Sequence, residues 1–165
     1  MAKQKTQADY YKSLPRKRMG SGVIIRNVKG EILVLKTTYK EHWEIPGGVV
    51  EENESPKETA EREALEELGL AVNISSCLVI HYRSVSDEQD ENIMFVFDGG
   101  VMADNVKLQL NNKEISEAKF VSFQAAVPLV GARIASRLPY CEQAIRDKKT
   151  IYLESIGVLN PTFIS

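Results

Sequence analysis

Glu63, Glu66 and Glu67 stand at i, i+3 and i+4 inside the segment Gly48–Leu70, which reads GVVEENESPKETAEREALEELGL. At about 3.6 residues per turn, those three carboxylates share one face of a helix. Like charges that close repel by about 0.2–0.5 kcal/mol per pair on an isolated helix. A hard divalent cation turns the repulsion into coordination, because magnesium and its relatives prefer carboxylate oxygen. Taken alone, a solvated acidic stripe explains the same residues equally well. The fixed register of other residues around the stripe weighs for chemistry: Gly48, then Glu54 after five residues, Arg62-Glu63 after seven more, and Gly69.

That register resembles the box of the Nudix hydrolases, G-x5-E-x7-R-E-U-x-E-E-x-G-U, where U is a bulky aliphatic. It departs only at Ala64, a packing position where a larger side chain is usual. The resemblance implies an α+β Nudix fold, a mixed sheet sandwiched between helices. It also implies a hydrolase that cleaves the pyrophosphate of a nucleoside diphosphate linked to another moiety. Glu63, Glu66 and Glu67 would bind Mg2+, with Mn2+ as a substitute, and a backbone carbonyl at Gly47 would join them. Arg62 and Glu54 would orient the metal-binding glutamates by ion pairing. The general base varies within the family, being a box glutamate or one from a distant loop. Glu117 is the first choice outside the box here, with Glu114 beside it. Solvated loop acids are the plainer reading of both.

Candidate substrate contacts are less specific. Gly48 enters the box, and Trp43 in the extended piece before it either packs or helps to line a base pocket. Tyr82 and Phe120 could stack on a nucleobase, although core packing is the plainer fate of each. His42 and His81 read as ordinary polar residues. Among family subgroups, the ADP-ribose type carries a proline downstream of the box, where this chain has Val85. Two readings stand beside the hydrolase: a nucleotide sensor that binds without cleaving, and an RNA-decapping pyrophosphohydrolase. A sensor usually loses box glutamates, and Glu54, Glu63, Glu66 and Glu67 are all present.

Several elements must position these groups. Ser55 caps a helix with Pro56 in its first turn and Glu58 completing a capping box, and Gly69 stops it. Ala60, Ala64, Leu65 and Leu68 lie on a different arc from the acids, free to bury against a sheet. Met19–Arg26 and Glu31–Leu35 read as a hairpin around Asn27-Val28-Lys29-Gly30. His42–Ile45 is extended before Pro46-Gly47-Gly48. Val72–Val85, Ile93–Val101, Ala118–Ser122 and Ile151–Leu153 read as strands, and Pro139–Asp147 as a helix. Asp87–Glu91 is an acidic loop. Residues 1–17 read as a basic, loosely ordered lead-in and 18–165 as one domain.

Composition sets wider bounds. The chain has 165 residues, 43% hydrophobic and 27% charged, with a net charge of -2. That length buries a sizeable core. That charge argues against a nucleic-acid duplex as main partner, since backbone binding normally needs a basic surface. Cys77 and Cys141 are too few and too far apart for a zinc site or a disulfide framework. No apolar run approaches a membrane span, and no apolar stretch follows the basic N-terminus as in a secretory signal. The expectation is a cytoplasmic enzyme acting on a small nucleotide, away from membranes, with room for a homodimer.

Overall fold

Apolar residues alternate along the central strands, and the two alternating sets pack against different helices. In the computed structural model, which describes residues 6–85, 91–103 and 105–155 and the backbone of Thr162–Phe163, β1 spans Arg18–Arg26 and β2 spans Ile32–Thr37. Val23 and Ile25 of β1, with Leu33 and Leu35 of β2, share one core with Ala60, Ala64 and Leu68 of α2 (Pro56–Leu68). Ile24, Ile32 and Val34 point the other way, toward α3 (Phe123–Ala126) and α5 (Leu138–Asp147). The sheet is therefore sandwiched between helices, as the period of two along a strand requires when both faces are covered.

The sheet is mixed. β3 (Trp43–Glu44), β2, β1, β6 (Asn92–Val101), β5 (Ser76–Arg83), β8 (Ile151–Ser155) and β9 (Thr162–Phe163) follow one another across it. Two strands lie off that path: β4 (Gly47–Val49) pairs with β1, and β7 (Ile115–Val121) with β2. β1 runs parallel to β6 over most of its length, and β5 runs parallel to β8.

The expected hairpin is only partly a hairpin. Its turn forms, with Asn27 Oδ1 accepting from the amides of Lys29 and Glu31 and Gly30 at φ 79°. Beyond it β1 and β2 pair only at Arg26↔Ile32 and then part, each taking other neighbours. Turn chemistry fixes the local reversal but not which strands the two arms go on to join.

Other boundaries shift. Residues 72–75 are irregular, so β5 begins at Ser76 rather than Val72. Gly47–Val49 is a strand, paired Gly22↔Gly47 and Ser21↔Gly48. Part of the lead-in is a helix, α1 (Gln7–Ser13), capped reciprocally by Thr6 and Asp9 with none of its residues buried. α4 (Ala132–Ala135) precedes α5. Most of the acidic loop, residues 87–90, lies outside the described residues. Among the described residues no helix is long and apolar enough to cross a membrane.

Candidate metal centre

The helix that carries the acids is fixed at both ends as its sequence requires. Ser55 Oγ accepts from the Glu58 amide while the Glu58 carboxylate accepts from the Ser55 amide, and Pro56 sits where no amide is needed. Gly69 closes it at φ 62°. Ala60, Ala64 and Leu68 are fully buried beneath it, which turns Glu63, Glu66 and Glu67 toward β4 and solvent. Ala64, the one departure from the box pattern, fits there as a small buried contact.

Arg62 ties the acids together. Its Nε and Nη2 donate to the two oxygens of Glu54 at 2.8 and 3.1 Å, a fork-on-fork pair. Its Nη1 donates to Glu63 at 2.8 Å and to Glu66 at 3.0 Å. Glu54 also accepts from buried Thr59 Oγ1 at 2.6 Å. The Arg62 guanidinium and the Thr59 hydroxyl hold the Glu54 carboxyl down to about 2. Glu54 is thus a permanent anion that anchors Arg62.

Glu67 is the opposite case. It is 9% exposed, and its nearest donor is the Gly47 amide, 3.2 Å from Oε2. Burial pushes its carboxyl up to about 8, with the charges of Glu63, Glu114 and Glu44 pushing the same way. Burial also raises Glu63, despite its bond to Arg62. A buried carboxylate with acidic neighbours and no cation of its own is costly to ionise, and a divalent ion would reverse that cost.

The two glycines explain why the acids come so close to β4. A Cβ on Gly48 would overlap the Glu63 carboxylate, and one on Gly47, at φ 150°, would overlap the Ser21 carbonyl. The donor set is all oxygen and suits magnesium. Among the described residues no three acids, histidines or cysteines already close around one point. Magnesium commonly keeps several waters and takes substrate phosphates as ligands, so it does not require a closed protein cage.

The other expected residues are scattered. Glu117 is exposed on β7 opposite Lys36, and it is Glu114 whose charge reaches Glu63 and Glu67. Gly48 lines a cleft of about 430 Å³ beside the acids. Trp43 packs against the α3/α5 core with the Lys119 ammonium 3.9 Å from its ring centroid. Phe120 packs on the α2 side. Tyr82 donates to Glu91 under the Lys17 ammonium. None of these three aromatics lines that cleft. Its polar lining includes Arg18, Arg83, Arg133 and Arg137, which the motif could not signal because it spans only Gly48–Leu70. Glu44 is equally silent in the sequence, since only folding brings its charge to bear on Glu67; Glu114 is the sequence candidate ranked behind Glu117.

The family model described as the NUDIX domain matches residues 16–140. The chain belongs to that family, and it is a Nudix hydrolase. A protein of Hydrogenovibrio crunogenus named RNA pyrophosphohydrolase is 30% identical over 61% of this chain and 68% of its own length. An uncharacterized Nudix hydrolase of Pseudomonas aeruginosa is 29% identical over 87% and 86% of the two chains. The crystal structure of a MutT protein from Methanosarcina mazei superposes with a TM-score of 0.65 at 27% identity, covering 84% of this chain and all of that one.

Arg62→Ala should leave Glu54, Glu63 and Glu66 uncompensated. We expect about a 10- to 100-fold loss in kcat/KM, the usual effect of removing a group that orients metal ligands, and a lower Tm. Steady-state kinetics and thermal melts in one buffer check this. If neither changes, Arg62 has no orienting role.

Proposed function

We propose that the chain is a magnesium-dependent pyrophosphohydrolase that cleaves the diphosphate linkage of a small nucleotide, working in the cytoplasm. The observation that carries the reading is the placing of half-buried Glu63 and buried Glu67 against Gly47 and Gly48, with Arg62 bridging Glu54, Glu63 and Glu66. Glu63, Glu66 and Glu67 would hold the ion, and the Gly47 carbonyl would be a further ligand. The metal would neutralise phosphate oxygens and make a bound water more acidic.

The chain's own part is positional and electrostatic. Glu54 fixes Arg62, and Arg62 fixes Glu63 and Glu66 on the helix face. α2 and β4 exclude water from one side of Glu67. A carboxylate must take a proton from the attacking water. Glu114 is the favoured candidate outside the box, because its charge already acts on Glu63 and Glu67; Glu117 is the second. For the rest of the substrate, Gly48 borders the cleft, with Trp43, Tyr82 and Phe120 placed outside it.

One observation favours a second reading, an RNA pyrophosphohydrolase: the Hydrogenovibrio relative carries that name. A single panel separates the readings. Purified protein is mixed with magnesium or manganese and with nucleoside triphosphates, nucleotide sugars, dinucleoside polyphosphates, ADP-ribose and a 5′-triphosphorylated oligoribonucleotide. We expect metal-dependent cleavage of a phosphoanhydride in one of the small nucleotides. Preference for the oligoribonucleotide supports the second reading. Tight binding across the panel with no cleavage would leave only a sensor.

A further inference from the structure

The cleft that Gly47 and Gly48 border is also lined by Arg133 and Arg137. Arg137, just before α5, is 6% exposed. Its Nε donates to His81 Nδ1 at 3.0 Å, so that ring nitrogen carries no proton. The proton is then on Nε2, directed at Ser155 Oγ 2.8 Å away. A neutral imidazole thus orients a buried guanidinium without neutralising it. No carboxylate among the described residues forms an ion pair with Arg137 or Arg133. The charges of Arg83 and Arg133 both act on Arg137, and burial with Arg83 lowers its pKa to about 10. Glu44, the acid in the cleft wall, is already taken by Lys40 and His42 at 2.9 and 3.0 Å.

A buried cation without an anionic partner is costly unless an anion is supplied from outside. Arginine's planar fork matches phosphate oxygens, and about 430 Å³ is room for a ligand of nucleotide type. We propose that Arg133 and Arg137 bind a substrate phosphate outside the scissile linkage. The enzyme would then select nucleotides bearing an additional phosphate over nucleotide sugars. The selection rests on the pyrophosphohydrolase reading; the anion site does not. His81 is a positioning residue for Arg137.

The test begins without metal. Inorganic tripolyphosphate is titrated calorimetrically, in EDTA, into wild type, Glu67→Gln, Arg133→Ala and Arg137→Lys. Wild type should bind, and Glu67→Gln about equally, since burial already favours the neutral acid in the metal-free fold. Arg137→Lys should weaken binding about 10- to 100-fold, as loss of a charge-assisted pair does, and exposed Arg133→Ala about fivefold. With metal, the ratio of kcat/KM for a nucleoside triphosphate over UDP-glucose should fall in Arg133→Ala by a similar factor. Competition by a free nucleoside triphosphate or by a 5′-triphosphorylated oligoribonucleotide identifies which one brings the phosphate.

Wild-type affinity in both arginine variants, or no tripolyphosphate binding by wild type, overturns the proposal. If circular dichroism shows that Arg137→Lys does not fold, Arg133→Ala decides. Arginine-dependent binding together with no cleavage of any substrate would remove the hydrolase reading and leave the anion site standing.

Discussion

Glu67→Gln should lower kcat by about 10²–10³-fold, because metal-borne stabilisation of phosphate charge is worth several kcal/mol and each 1.36 kcal/mol is tenfold in rate. It should do so without unfolding the protein. Glutamine is the uncharged isostere of the protonated acid that the metal-free fold prefers, since burial holds the Glu67 carboxyl at about 8. In EDTA the variant should therefore melt at or above the wild-type Tm. Magnesium should raise the Tm of the wild type more than that of the variant, by linkage. Three measurements check this: kcat, apo Tm and the magnesium-induced Tm shift. An unchanged kcat would remove Glu67 from the metal centre. A large drop in apo Tm would make it a structural acid instead.

The second large effect is on stability in mild acid. His81 is 2% exposed and its pKa is lowered to about 3, first by burial and then by the charges of Arg137 and Arg83. The unfolded chain takes up this proton near pH 6.5 and the folded chain refuses it until about 3. At this site the unfolded state thus binds more protons across that window, and the His81 contribution to stability falls as pH falls, by up to about 1.4 kcal/mol per unit. Glu54, held down to about 2, adds its own loss only below the ordinary carboxylate range. Between pH 6.5 and 5 Glu67, raised to about 8 in the metal-free fold, keeps a proton that the unfolded chain lacks and tilts stability the opposite way. The His81 contribution is therefore read as a difference between wild type and a variant in EDTA. Urea unfolding at half-unit pH steps measures it. His81→Gln, which cannot titrate, should start less stable, and its deficit against wild type should narrow as pH falls from 6.5 to 5. A deficit that stays constant across those pH steps would place the titrating group elsewhere.

The chain made its box legible for a reason visible in the structure. Every group from Ser55 to Gly69 belongs to one helix and its caps, so spacing translates directly into position: the capping box, the αL glycine, the acid face and the buried alanines lie where their periods put them. Arg62 and Glu54 are eight residues apart and meet across the turn that enters that helix. Long-range placement was not legible. Nothing local says that Glu114 rather than Glu117 approaches Glu67, because that depends on the register of β7 against β2 and its shift between Lys36 and Thr37. Nor does anything near Arg137 announce His81, fifty-six residues earlier, as its partner. The hairpin misled in the same way: Asn27 and Gly30 make the turn, but the residues beyond it answer to β6 and β7.

The parallel register of Met19–Ile24 with Ile93–Asp98 has a consequence for synthesis on the ribosome. The strand that supports β4, and through it the acids, is complete within the first 26 residues. Its central partner is made some seventy residues later, and such long loops close slowly. A nascent chain halted before residue 92 holds the entire motif yet lacks the neighbour that locks its platform. Metal competence should therefore emerge late in translation.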